Sequence, residues 1–138
     1  MRSLHAVTVL IFFLLITMAG CSSRALPSVD GFIVYIQNDT GADIHTVQLH
    51  YWLSGEVLGS MGGCHADNSP IKPGTSMEFQ FLPEDFPKNA DLSSFSLQIQ
   101  ALDENENPST AAISLSVPAA YGRIYEISLS GSRARLIP

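Results

Sequence analysis

Between Phe32 and Ile137, apolar and polar residues alternate in short runs, and a turn-forming cluster closes each run. Successive side chains of an extended chain point to opposite faces, so period-two alternation commits a segment to a strand with one buried face. Val47, Leu49, Tyr51 and Leu53 alternate with Thr46, Gln48, His50 and Trp52. Phe95, Leu97, Ile99 and Ala101 alternate with Ser94, Ser96, Gln98 and Gln100, the cleanest pattern in the chain. Shorter versions cover Met77 to Phe81, Ile113 to Val117 and Tyr125 to Leu129. Phe32-Ile33-Val34-Tyr35-Ile36 is a β-branched and aromatic run of the same kind, Val57-Leu58 forms a short strand, and Ala134 to Ile137 adds a last one. The breaks are Asn38-Asp39-Thr40-Gly41, Pro73-Gly74, Asp103 to Pro108 and Ser130-Gly131-Ser132, all rich in turn residues. Helical periodicity is confined to a single turn near Glu84-Asp85-Phe86.

Short strands at roughly 8–15-residue spacing predict an all-β domain over residues 30–138. The expected architecture is an immunoglobulin-like antiparallel β-sandwich of about seven strands. The first two strands meet as a hairpin or as a sandwich corner. The domain resembles small immunoglobulin-like proteins of bacterial envelopes, a resemblance that carries no function with it. Trp52 falls on the outward side of its strand, so it does not match the core tryptophan of antibody domains.

The N-terminus reads differently. Met1-Arg2-Ser3-Leu4-His5 carries one fixed positive side chain, and a 14-residue apolar run from Ala6 to Ala19 follows. That run falls short of the roughly 20 residues a membrane-spanning helix needs. A basic start, a short apolar stretch and small residues at its end describe a secretory signal peptide, here residues 1–20. The run ends Met18-Ala19-Gly20-Cys21, which resembles the lipobox of bacterial lipoproteins. The resemblance implies cleavage between Gly20 and Cys21, and fatty acylation of Cys21 by a diacylglycerol thioether and an N-acyl chain. The lipid bilayer is then the first partner, because two or more acyl chains hold a protein stably where one holds it marginally. Residues 21–29, with Ser22, Ser23, Pro27 and Ser28, form the lipidated tether. Ser22 stands where aspartate signals inner-membrane retention in enteric lipoproteins. The resemblance therefore favours the outer membrane, facing the periplasm.

The chain has 7 basic and 13 acidic residues; without residues 1–20, 118 residues remain, with a net charge of −7. That balance argues against nucleic acid and against a polybasic membrane-binding surface. With Cys21 lipidated, Cys64 has no intramolecular disulfide partner, and the fold relies on sheet packing.

The densest group of chemically active side chains lies in Gly59-Ser60-Met61-Gly62-Gly63-Cys64-His65, read as a Gly-rich loop. A thioether, a thiol and an imidazole suit copper or zinc, so Met61, Cys64 and His65 are the candidate metal ligands. Closed sites usually take four ligands, and no Cys-x-x-Cys or His-x-x-x-His pair accompanies them. A thiolate nucleophile at Cys64 lacks an identifiable orienting group and oxyanion hole. The acidic stretch Asp103 to Asn107 lacks the spacing of a calcium loop and reads as a hairpin tip. His50 and Trp52, on one outward strand face, form a candidate contact patch. The expectation is a non-enzymatic, cofactor-free envelope lipoprotein that binds a protein or another envelope component. The alternative is a metal- or redox-active lipoprotein centred on Met61, Cys64 and His65.

Overall fold

A computed structural model describes residues 30–138. The signal segment, the Gly20–Cys21 cleavage site and the tether up to residue 29 lie outside the described residues. The alternating runs become eight strands: β1 (Phe32–Asn38), β2 (Thr46–Leu53), β3 (Glu56–Gly63), β4 (Ser76–Phe81), β5 (Phe95–Leu102), β6 (Ile113–Ser116), β7 (Ile124–Leu129) and β8 (Ala134–Ile137). The helical turn expected near Glu84 is a 3₁₀ turn, Pro83–Asp85, and a second 3₁₀ turn spans Leu92–Ser94. Among the described residues, no helix is long and apolar enough to cross a membrane.

Two four-stranded sheets form the sandwich, ordered β4-β1-β7-β8 and β3-β2-β5-β6. Pairing is antiparallel throughout, except that β1 lies parallel to β7. The chain changes sheet between β1 and β2, so Asn38-Asp39-Thr40-Gly41 opens a sandwich corner. Asn38 holds that corner. Its amide donates to the Ala42 and Ile71 carbonyls, both at 2.8 Å, while its Oδ1 accepts from the Thr40 amide at 3.0 Å and the Thr40 hydroxyl at 2.7 Å.

The segment read as a Gly-rich loop is instead the outer half of β3. A two-residue turn, Ser54-Gly55, makes β2 and β3 a hairpin; both residues have positive φ, 52° and 86°. Positive φ at both central positions matches the right-handed twist of the flanking strands. Side-chain room explains why glycines sit in a strand here. A Cβ at Gly59 would lie 2.5 Å from the Tyr51 hydroxyl oxygen, and one at Gly63 would lie 2.8 Å from Phe79 Cζ. Both glycines face inward and leave space for those rings. Leu58 is an extra residue between the Tyr51–Gly59 and Trp52–Val57 pairs, a bulge that breaks the regularity of this edge strand.

The inward residues of both sheets interlock as one core. At one end Phe32 stacks on Phe81 with ring centroids 4.9 Å apart and meets Phe95 edge-on at 5.2 Å. Tyr51 meets Phe81 edge-on at 5.2 Å. Such offset and edge-on pairs add to the burial of the rings themselves.

Candidate functional site

The two sheets present outer faces of different chemistry. On β4-β1-β7-β8, Tyr35 is flanked across the strands by Glu78 and Glu126, and Arg135 lies nearby, paired with Ser128. The Tyr35 hydroxyl donates to Glu78 Oε2 at 2.9 Å. That bond, then burial, then the charges of Glu78 and Glu126 push the phenol above its ordinary value. This face carries fixed charge of both signs.

The outward strand positions of β3-β2-β5-β6 carry none, although Glu106 of the β5–β6 connection borders one end. Its cross-strand rows are set by the register. Trp52 lies between Val57 and Ser96; His50 lies between Ser60 and Gln98; Gln48 lies between Gly62 and Gln100. On β6, Ser114 extends the His50 row and Ser116 the Trp52 row. By register, no outward residue of these four strands is Lys, Arg, Asp or Glu. The central residues are half-buried, and Val57 at the edge is 65 % exposed. The His50 and Trp52 rings are 6.2 Å apart, tilted by 52°. Both therefore sit together on one outward face.

A groove of about 510 Å³ opens at the Gln48 end of this face. Gln48, Gln100 and Gly62 of the strands line it, together with Glu106 and Pro108 of the β5–β6 connection. Gly62 differs from the inward glycines of β3, because a Cβ there would meet nothing within 4 Å. Core packing does not require this glycine; its lack of a side chain keeps the groove open. Among the described residues, the side-chain hydrogen bond on this face is from Gln100 Nε2 to the Thr110 carbonyl, at 3.3 Å. The side chains of Gln48, His50 and Gln98 make no hydrogen bond among the described residues.

The candidate metal ligands are dispersed. Met61 pairs with Leu49 on β3 and packs against the core. Cys64 follows the strand, exposed and without a disulfide partner among the described residues. Its exposure departs from the habit of unpaired cysteines, which are among the most buried residues. The His65 ring points to a local contact, with Nδ1 3.0 Å from Ser69 Oγ. Among the described residues, no three His, Cys, Asp or Glu side chains gather in a way that could hold a metal ion. Among the described residues, His45 has a buried Nδ1 without a hydrogen-bond partner, but it stands apart from these residues in sequence. In the β5–β6 connection, Asp103 Oδ1 accepts from the Asn105 and Asn107 amides at 2.8 and 2.9 Å. Those bonds, with that of Asn107 foremost, hold its carboxyl below the usual 3.8. The acid thus closes its own hairpin tip.

Alternation along β2 and β5 already placed Gln48, Gln98 and Gln100 on the side away from the core. The pairing of β2 with β5, and of both with a glycine-bearing β3, turns those scattered amides into one surface. That pairing has no local signal in the sequence.

Together, fold and face define a small all-β sandwich with one charged and one uncharged outer sheet. No protein-family model and no curated protein matches the sequence. Among solved structures, an NMR structure of a protein from Eubacterium rectale is similar at 9 % identity; the match covers 77 % of this chain and 82 % of that one, with a TM-score of 0.41.

Proposed function

We propose that this protein is a lipid-anchored envelope protein whose non-catalytic sandwich binds a partner through the uncharged outer face of β3-β2-β5-β6. The observation that carries the reading is that face itself: Trp52, His50 and three glutamines stand outward together, and Gln48, Gln98 and His50 make no side-chain hydrogen bond among the described residues. A surface with no partner-binding role more commonly mixes charges of both signs, as the opposite sheet does. The anchor half of the reading rests on Met18-Ala19-Gly20-Cys21. Acylated Cys21 fixes the domain to the bilayer, on the periplasmic side of the outer membrane by the Ser22 rule, and raises its local concentration at an envelope partner.

Intact-mass measurement of the mature protein tests the anchor. The expected result is a chain beginning at Cys21 with a mass increment for three acyl groups. An unmodified Cys21, or cleavage elsewhere, overturns that half. Site-specific photocrosslinking in native membranes tests the face. A probe at Ser96 or Ser114 should form adducts that a probe at Tyr35, on the other sheet, does not. Equal adducts from both sheets would remove the assignment of the face.

A further inference from the structure

We infer that the outer face of β3-β2-β5-β6 binds an uncharged glycan chain, seated over Gln48, Gln98 and Gln100 and stacked on Trp52; this deepens the partner-binding reading above and rests on it.

Charge points to the ligand class. The protein is acidic, with fixed charges on the other sheet, yet no outward residue of these four strands is Lys, Arg, Asp or Glu, and the groove is bordered by the single carboxylate of Glu106. Anionic polymers and charged headgroups are recognised by arginine and lysine, and cationic ones by carboxylates. Strand positions with neither, bordered by one carboxylate that can accept hydrogen bonds from hydroxyls, complement a neutral, hydroxyl-rich ligand.

Hydrogen-bonding capacity narrows the class further. Each glutamine amide both donates and accepts, as does a neutral imidazole. Covering these groups with an apolar protein surface would leave them unpaired, at about 1–3 kcal/mol for each buried group. Protein interfaces concentrate apolar and aromatic residues at their centre. Here the centre is the Gln48, His50, Gln98 and Gln100 rows, with the tryptophan at one end. Sugar hydroxyls donate and accept at each ring, which matches that arrangement. The apolar CH face of a pyranose suits the half-exposed indole of Trp52, an amphipathic ring fitted to such mixed contacts.

Shape sets the length. Gln48, His50 and Trp52 are alternate residues of one strand, so the platform extends about 13 Å at 3.3 Å per residue. That span calls for an oligosaccharide rather than a single sugar. Gly62 lines the far end, and a Cβ added there would meet nothing within 4 Å.

The chain's single tryptophan is the reporter. The full chain, extracted from membranes in mild detergent, is titrated with chitohexaose, with cellohexaose and with polygalacturonate while Trp52 fluorescence is followed. The expected result is a saturable change with a neutral hexasaccharide. Response to chitohexaose alone identifies an acetamido-sugar glycan, and response to cellohexaose a plain glucan. Gln48→Ala and Gln98→Ala should each weaken binding about tenfold, the equivalent of about 1.4 kcal/mol. Gly62→Phe should abolish binding while its urea midpoint stays at or above that of the parent. Three results overturn the inference: no response to either neutral hexasaccharide, equal affinity for polygalacturonate, or unchanged binding in all three variants. If the glycans fail while a probe at Ser96 still crosslinks one specific protein, the glycan inference falls and the partner-binding reading stands. If the glycans fail and the Ser96 probe forms no adduct beyond that of Tyr35, both fall.

Discussion

Replacing Gly62 by alanine should stabilise the protein, and the same replacement at the next residue, Gly63, should destabilise it. Both glycines lie on β3, so strand propensity and edge position are nearly matched. Alanine removes about 0.5–1 kcal/mol of the conformational freedom that glycine loses on folding. At Gly62 nothing offsets that gain, because the new Cβ has no atom within 4 Å. At Gly63 the Cβ would lie 2.8 and 3.2 Å from Phe79 Cζ and Cε1, and 3.3 Å from Met77 Cε. The methionine can move. The Phe79 ring, only 4 % exposed, is confined by the core. Overpacking of that kind costs about 1–3 kcal/mol. The net expectation is a gain of about 0.5–1 kcal/mol for Gly62→Ala and a loss of about 1 kcal/mol for Gly63→Ala. Urea unfolding followed by far-ultraviolet circular dichroism resolves the difference. With a slope of about 2 kcal/mol per molar, the two midpoints should separate by about 1 M. Equal midpoints, or a less stable Gly62→Ala protein, would refute both the claim that glycine at 62 serves no packing need and the steric account of Gly63.

Asn38→Ala should lower stability by about 2–4 kcal/mol in thermal or urea melts, because it removes four hydrogen bonds from a side chain that is 1 % exposed. Asn38→Asp should be no better, since a carboxylate cannot donate to the Ala42 and Ile71 carbonyls. For Asp103, the sign follows from a carboxyl depressed in the folded state: its contribution to the hairpin tip is present above the usual 3.8 and is lost as pH falls through its lower folded value. A carboxyl-detected NMR titration should therefore give Asp103 a midpoint below 3.8, and Asp103→Asn should flatten the local response. Cys64 should react fully with a soluble disulfide reagent in the native state, and Cys64→Ser should change stability by less than about 0.5 kcal/mol. A protected thiol would contradict its exposure.

Alternation made β2 and β5 legible, because each strand buries one face and the side chains simply take turns. β4, β7 and the short β6 followed the same rule, and β8 was read only as a last short run. β3 did not, since glycine reads as a turn residue whenever the reason for its small size is a ring on another strand. Tyr51 and Phe79 supply that reason, and neither is visible from positions 59 and 63 alone. His50 and Trp52 were legible as outward neighbours two residues apart. Their joining with Gln98 and Gln100 depends on β2 lying beside β5, a long-range pairing that no local pattern encodes. Cys64 was legible as a thiol without an intramolecular partner but not as an exposed one; it lies just past the end of β3.

The parallel pairing of β1 with β7 also governs the order in which the protein can form. β1 has β4 on one side and β7 on the other, and Phe32 to Asn38 cannot be fully enclosed until Ile124 to Leu129 are available. A chain delivered from its N-terminus therefore holds β1 half-open until β7 has arrived. Closure across so long a separation is slow relative to local hairpins. The early β2–β3 hairpin can form at once around Ser54-Gly55, whereas the completed sandwich must wait. The sandwich then closes with β1 and β7 side by side in one sheet and β8 on its outer edge.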